Sequence, residues 1–169
     1  IGAAVIYASG FAEAGDEGAA LQESIVDVAD DHDVSLLGPN TSGFLVPATD
    51  LRCSFASGVG EIPAGNTAVV AQSGGVAHVL AFQSRRQRRG VSAMVGLGNR
   101  ANVGFALAIE YFDGDARTDP IVLHVEGTAA ARPPLESFLA TAAPAVPAQA
   151  RRSVLGAVPA SRTGRPARH

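Results

Sequence analysis

The sequence contains no lysine and a single cysteine, Cys53. One thiol forms neither an intrachain disulfide nor a zinc cluster, so a reducing, cytoplasmic setting is expected. An acidic body without lysine argues against nucleic acid as a partner. No apolar run approaches the roughly 18 residues of a membrane span, and no membrane association is expected. The opening residues IGAAVIYASG lack a basic segment and soon meet acids, unlike a secretory signal. The nucleotide patterns G-x-x-x-x-G-K-[ST] and G-x-G-x-x-G are missing, as is the hydrolase pattern G-x-S-x-G. Four histidines are present, but no pair has ligand spacing, so no metal site is expected. His32 lies among aspartates and reads as solvated; His78 and His124 lie in apolar segments and read as packed.

What is present suits one ordinary domain, or one domain plus a piece of another. The chain has 169 residues, 47% of them hydrophobic, which is enough for a sizeable core. Charge is unevenly spread. Residues 1–126 hold fifteen acids against seven arginines, whereas residues 127–169 hold Glu136 alone against six arginines. Six of the ten prolines also fall after Arg132, where apolar periodicity fades. That tail, together with a start inside a strand pattern, reads as part of a longer or interrupted coding sequence.

Between these ends, short apolar runs alternate with helical patterns. Strands are expected at Ala3–Tyr7, Val34–Leu37, Thr67–Ala71, Val91–Val95 and Ile121–Val125. Helices are expected at Glu17–Asp31, Gly75–Arg88 (with Gly90 as its cap), Val103–Phe112 and Leu135–Ala142. Thr41–Gly65, rich in glycine, proline and serine, reads as irregular loop. Continuous apolar strands separated by helices imply an α/β fold whose parallel strands are buried on both faces. Ligands in such sheets sit at the carboxyl ends of strands. The loops to watch are therefore Ala8-Ser9-Gly10, Gly38-Pro39-Asn40, Gln72–Gly75, Gly96–Asn99 and Glu126-Gly127.

Ser73-Gly74-Gly75 joins a strand to a helix. Backbone N–H groups at a helix start carry about half a positive charge, glycine permits close approach, and serine can cap. Alone, the tripeptide reads first as a capped, tight turn, with an anion site as the sharper alternative. Glu126 ends the run IVLHV, where a carboxylate could orient an imidazole or stand solvated. Asn40 and Asn99 read first as turn formers through their side chains.

Five stretches in series change these odds: AVIYASGFAEAGDEG (4–18), LLGPNTSGF (36–44), VVAQSGGVAHVLA (69–81), VGLGNRANVGFALAIEYF (95–112) and IVLHVEG (121–127). In this order the chain resembles the NDP-forming acyl-CoA synthetases, close to ADP-forming acetate–CoA ligases and the succinyl-CoA synthetase α subunit. The resemblance implies a parallel-sheet, flavodoxin-like domain preceded by the last strand and helix of a CoA-binding Rossmann domain. Residues 1–33 would be that remnant, 34–143 the ligase domain, and 144–169 a Pro/Arg-rich tail, disordered or frameshifted. The implied reaction is acid + CoA + ATP ⇌ acyl-CoA + ADP + phosphate, through an acyl phosphate and a phosphohistidine.

By position, the resemblance gives Ser73, Gly74 and Gly75 to phosphate and makes Glu126 the acid that steadies the phosphohistidine. It places Ser9, Gly10, Asn40, Gly98 and Asn99 in loops near CoA or substrate. The implied cofactors are CoA and ATP/ADP with Mg2+, the nucleotide belonging to a nucleotide-grasp β subunit or domain as partner. The small-molecule acid is the other implied ligand. The family's Ser-His-Thr-Gly motif finds its counterpart in Ser161-Arg162-Thr163-Gly164, where arginine replaces the nucleophile. Three readings follow: a partial synthetase incomplete by itself, a non-catalytic CoA- or phosphate-binding module of a protein acetyltransferase-like protein, or an inactive remnant.

Overall fold

The structure, a computed structural model, describes residues 1–126 and the strand Val154–Leu155. Its elements run β1 (Ala3–Val5), α1 (Asp16–Asp31), β2 (Ser35–Leu37), β3 (Phe44–Val46), β4 (Leu51–Cys53) and β5 (Ala64–Ala71). Then come α2 (Gly74–Arg86), β6 (Val91–Gly96), α3 (Phe105–Asp113), β7 (Ile121–His124) and β8 (Val154–Leu155). The helix expected at Leu135–Ala142 and the Ser161–Gly164 motif lie outside the described residues.

β5 organises the larger sheet, whose order is β4-β3-β6-β5-β7-β8. Its apolar end, Ala68–Ala71, is fully buried and pairs in parallel with β6 on one side and β7 on the other. A strand covered on both faces must be apolar at every position, which is why this run does not alternate. Ala68 and Val70 face α3, joining Phe105, Ile109 and Phe112; Val69 and Ala71 face the opposite cluster with Ala77 and Ala81 of α2. The chain thus leaves β5 over one face to reach β6 and returns over the other to β7. Such a reversal opens a crevice at the carboxyl ends of β5 and β7.

Two sequence expectations need correction. Thr41–Gly65 is not wholly irregular: Phe44–Val46 and Leu51–Cys53 form an antiparallel pair, and β3 also runs antiparallel to β6. Three-residue strands around Pro47 are too short to show a period, and Leu45 is buried by the sheet rather than by its neighbours in sequence. The cap of α2 also differs. The first left-handed residue after the helix is Arg88, at φ 56°, while Gly90, also left-handed at φ 71°, lies further on and admits the close backbone of Pro63 and Ala64.

β1 and β2 form a separate parallel pair, although an expected domain boundary falls between them. Asn102 ties this unit to the larger one. Its side chain accepts from the Leu36 N–H at 2.6 Å and donates to Asp30 and the Val34 carbonyl at 3.1 and 3.0 Å. Among the described residues no helix is long and apolar enough to cross a membrane.

Candidate functional site

The crevice at the β5–β7 reversal is a cleft of about 610 Å³. Its base is the start of α2. Ser73 caps that helix from extended backbone, its hydroxyl accepting from the Val76 N–H at 3.4 Å. The first-turn amides of Gly74 and Gly75 have no helical acceptor and add their dipoles to the positive end of a 13-residue helix. The two glycines serve different ends. A Cβ on Gly74 would stand 2.5 Å from the Ser42 Cβ and 2.6 Å from its hydroxyl, so glycine here admits the chain beneath. A Cβ on Gly75 would meet only the Ser73 hydroxyl, at 3.8 Å, so this position is open to the cleft.

Residues 38–43 pass under the helix start. Thr41 donates its hydroxyl to the Gly96 carbonyl and accepts from the Gly43 N–H at 2.9 Å. Ser42 is 7% exposed, and its hydroxyl has no partner among the described residues. Asn40 stands in left-handed backbone at φ 57°, which asparagine tolerates, and donates its N–H to Ala8.

One wall is the loop after β6. Gly98 lies against the backbone of Pro39 and Asn40, too close for any side chain. The Asn99 side chain does not cap its own turn, as the sequence suggested. It reaches across the cleft to Glu13 and to Gln22, the latter at 2.9 Å. Burial would raise the Glu13 carboxyl, but hydrogen bonds from Asn99 and from the Gly10 and Phe11 amides outweigh it and hold the group below its ordinary value. Next in the loop, Arg100 is 4% exposed with its Nε unpartnered, its guanidinium 5.6 Å from the Phe105 ring centre. Burial pulls its pKa down, and the charge of Glu126 pushes back.

Glu126 itself is exposed on the opposite rim, its N–H donating to the Gln72 side chain at 3.2 Å. Tyr7 and Phe55 meet edge to face at 5.8 Å and give the cleft an apolar lip. Ser73, Gly74, Gly75, Asn40, Gly98, Asn99 and Glu126 all line this one cleft. Ser9 and Gly10 are exposed and stand outside it. Sequence reasoning missed Ser42 and Arg100, and it watched the loop of Gln72 without giving that side chain a role. The signal for Ser42 was available in principle, since Gly74 and Gly96 both leave room for it.

No histidine or cysteine lines the cleft among the described residues, and none of their His, Cys, Asp and Glu clusters could hold a metal ion. His78 bridges the Gly74 carbonyl at 2.7 Å and the Ser54 hydroxyl at 3.0 Å, a packing role as expected. The cleft therefore offers donors for an anion and an acceptor on its rim, but no nucleophile with a base beside it.

The family described as succinyl-CoA ligase like flavodoxin domain matches residues 64–168. The α subunit of ADP-forming acetate–CoA ligase I from Pyrococcus furiosus is 32% identical over 122 residues, covering 72% of this chain and 26% of the subunit. ADP-forming acetate–CoA ligase I from Archaeoglobus fulgidus is 36% identical over 124 residues, covering 73% of this chain and 18% of the enzyme. A solved structure of dinucleotide-forming acetyl-coenzyme A synthetase 1 from Ca. Korarchaeum cryptofilum, in complex with phosphate and ADP, superposes with a TM-score of 0.76 at 30% identity. That match covers 85% of this chain and 30% of the other. The chain thus spans about a quarter or less of the length of these two curated relatives.

Proposed function

This chain belongs to the family of succinyl-CoA ligase like flavodoxin domains, and from that premise we propose that it supplies the phosphate-holding part of an ADP-forming acid–CoA ligase. The observation that carries the reading is the meeting of Ser73, Gly74, Gly75 and Glu126 in one cleft across the β5–β7 reversal. The reaction of the whole assembly would be acid + CoA + ATP ⇌ acyl-CoA + ADP + phosphate.

Acyl-CoA, when bound, would supply a thioester carbonyl open to attack by a phosphate oxygen, with the CoA thiolate as the leaving group. The part of this chain is positioning. The first-turn amides of α2 hold the phosphate charge, and the open face at Gly75 lets an oxygen approach. Fixed donors aimed at a transferring group are the main lever in this chemistry. Glu126 accepts from, and so orients, an imidazole brought to the rim. The Tyr7–Phe55 lip covers the acyl end, while Ser9 and Gly10 meet CoA from outside the cleft. Residues 1–33 are proposed as the end of a CoA-binding Rossmann unit, and residues 34–143 as the ligase domain.

ATP or ADP, with Mg2+, is assigned to a nucleotide-grasp subunit or domain. The naming of the Pyrococcus relative as an α subunit supports a partner. The reaction is placed in the cytoplasm.

A second reading, a non-catalytic CoA- or phosphate-responsive module, is favoured by the lack of a histidine among the described lining residues. Titration of inorganic phosphate and acetyl phosphate tests what the two readings share: both anions are expected to bind and to compete. Binding of neither would overturn the first reading and the phosphate-responsive form of the second. Alone, the chain is expected to release no ADP from acetate, CoA and ATP. Turnover that Glu126→Ala abolishes would contradict that expectation.

A further inference from the structure

Among the described residues Arg100 is the one cation on the cleft wall, and its surroundings do not account for it. It is 4% exposed, yet it makes no salt bridge among the described residues. Its Nε has no acceptor. A buried guanidinium without an ion partner is costly, and the ring of Phe105 offsets only part of that cost. The backbone bears a cost as well, since Arg100 holds a left-handed φ of 59°. Its loop is nonetheless pinned on both sides, by Asn99 N–H to Pro39 at 2.8 Å and Ala101 N–H to Gly38 at 3.0 Å.

Ser42 repeats the pattern from beneath. Its hydroxyl is buried and unpartnered, pressed between the positions where Gly74 and Gly96 lack side chains. Buried polar groups in folded proteins nearly always find partners, so two orphans on one cleft ask for a shared one. Arg100 and Ser42 both line the cleft at the start of α2, a helix end with no acid in its first turn. Glu126 is close enough to favour the charged form of Arg100 but does not reach it as an ion pair.

We propose that Arg100 and Ser42 are side-chain ligands of a phosphate group seated on the N-terminus of α2. The proposal deepens the function above and rests on it. A dianion there meets three kinds of donor: backbone N–H groups, a hydroxyl and a guanidinium. The guanidinium supplies the only full positive charge among the described lining residues. It also explains how a phosphate is held beside the carboxylate of Glu126, whose charge the arginine counters.

The test uses the full chain in chloride buffer, with inorganic phosphate as the probe and thermal unfolding plus calorimetric titration as readouts. For the unsubstituted chain, the unfolding temperature is expected to climb and level off with phosphate, as for any ligand of the folded state. Arg100→Asn, in which asparagine suits the left-handed backbone, is expected to weaken phosphate binding roughly tenfold or more. Its unfolding temperature without phosphate should not fall. Ser42→Ala is expected to weaken binding roughly two- to fivefold while leaving the phosphate-free unfolding temperature equal or higher.

Unchanged phosphate affinity in Arg100→Asn overturns the proposal. So does an equal loss of unfolding temperature with and without phosphate, which marks a purely structural cation. Should Arg100→Asn fail to fold, Ser42→Ala decides, and unchanged affinity there overturns the shared site. A chain that shows no phosphate dependence before any substitution sinks the functional reading instead.

Discussion

Two helices begin near the cleft, and they treat their positive ends in opposite ways. α1 follows Gly15, which offers no side-chain cap, and places Asp16 and Glu17 in its first turn. Just before it, Glu13 accepts from the Gly10 and Phe11 amides at 2.6 and 3.3 Å. Its helix dipole and loop amides are thus met by the chain's own carboxylates. α2 follows a serine cap, has no acid in its first turn, and faces Arg100 across the cleft. Both are strand–loop–helix corners with glycine. What separates them is whether the chain answers its own dipole or leaves it for a ligand.

The largest effect is expected where that contrast depends on close packing. Gly74→Val would drive a side chain into Ser42, and overpacking of this kind costs about 1–3 kcal/mol. Urea unfolding should show the loss, and phosphate binding should go with it. Next comes a substitution that makes α2 resemble α1. Gly75→Asp faces open space, and an acid in the first turn favours the helix by about 0.3–1 kcal/mol. Stability is therefore expected to hold or rise while phosphate affinity falls by roughly tenfold or more.

Ser73→Ala is milder. Loss of a helix cap costs about 1 kcal/mol, and the 3.4 Å bond here points to the lower part of that range. Thermal unfolding checks it. The smallest effect concerns α1. Because Glu13 is held below its ordinary value in the folded chain, its contribution is present above about pH 4.3 and is lost as pH falls through the folded value. Glu13→Gln should remove that acid-side slope. Its unfolding temperature relative to the parent should be lower near pH 7 and converge as pH falls through the lowered folded value of Glu13.

Much of this contrast was legible in the sequence because it is local. The run Val69–Ala71 followed by Gln72–Gly75 specifies a buried strand, a turn and a helix within a few residues. Glu126 and the β6 loop were placed by the rule that ligands gather at strand carboxyl ends. What escaped is tertiary in origin. Arg100 is one arginine among thirteen and reads as a surface charge until its left-handed backbone turns it onto Phe105. Ser42 is buried by two glycines, one 32 and one 54 residues away in sequence. The β3–β4 pair escaped because strands of three residues carry no period to detect. Family membership, by contrast, came from five weak stretches kept in order, a signal that no single element carries.

The central claim is that the start of α2 holds phosphate and the start of α1 does not. Calorimetric titration of inorganic phosphate into the full chain, unsubstituted and as Gly75→Asp, tests it most directly. Saturable binding is expected in the first and binding weaker by roughly tenfold or more in the second, with the Gly75→Asp chain at least as stable. No binding by the unsubstituted chain, or equal binding by both, would contradict it.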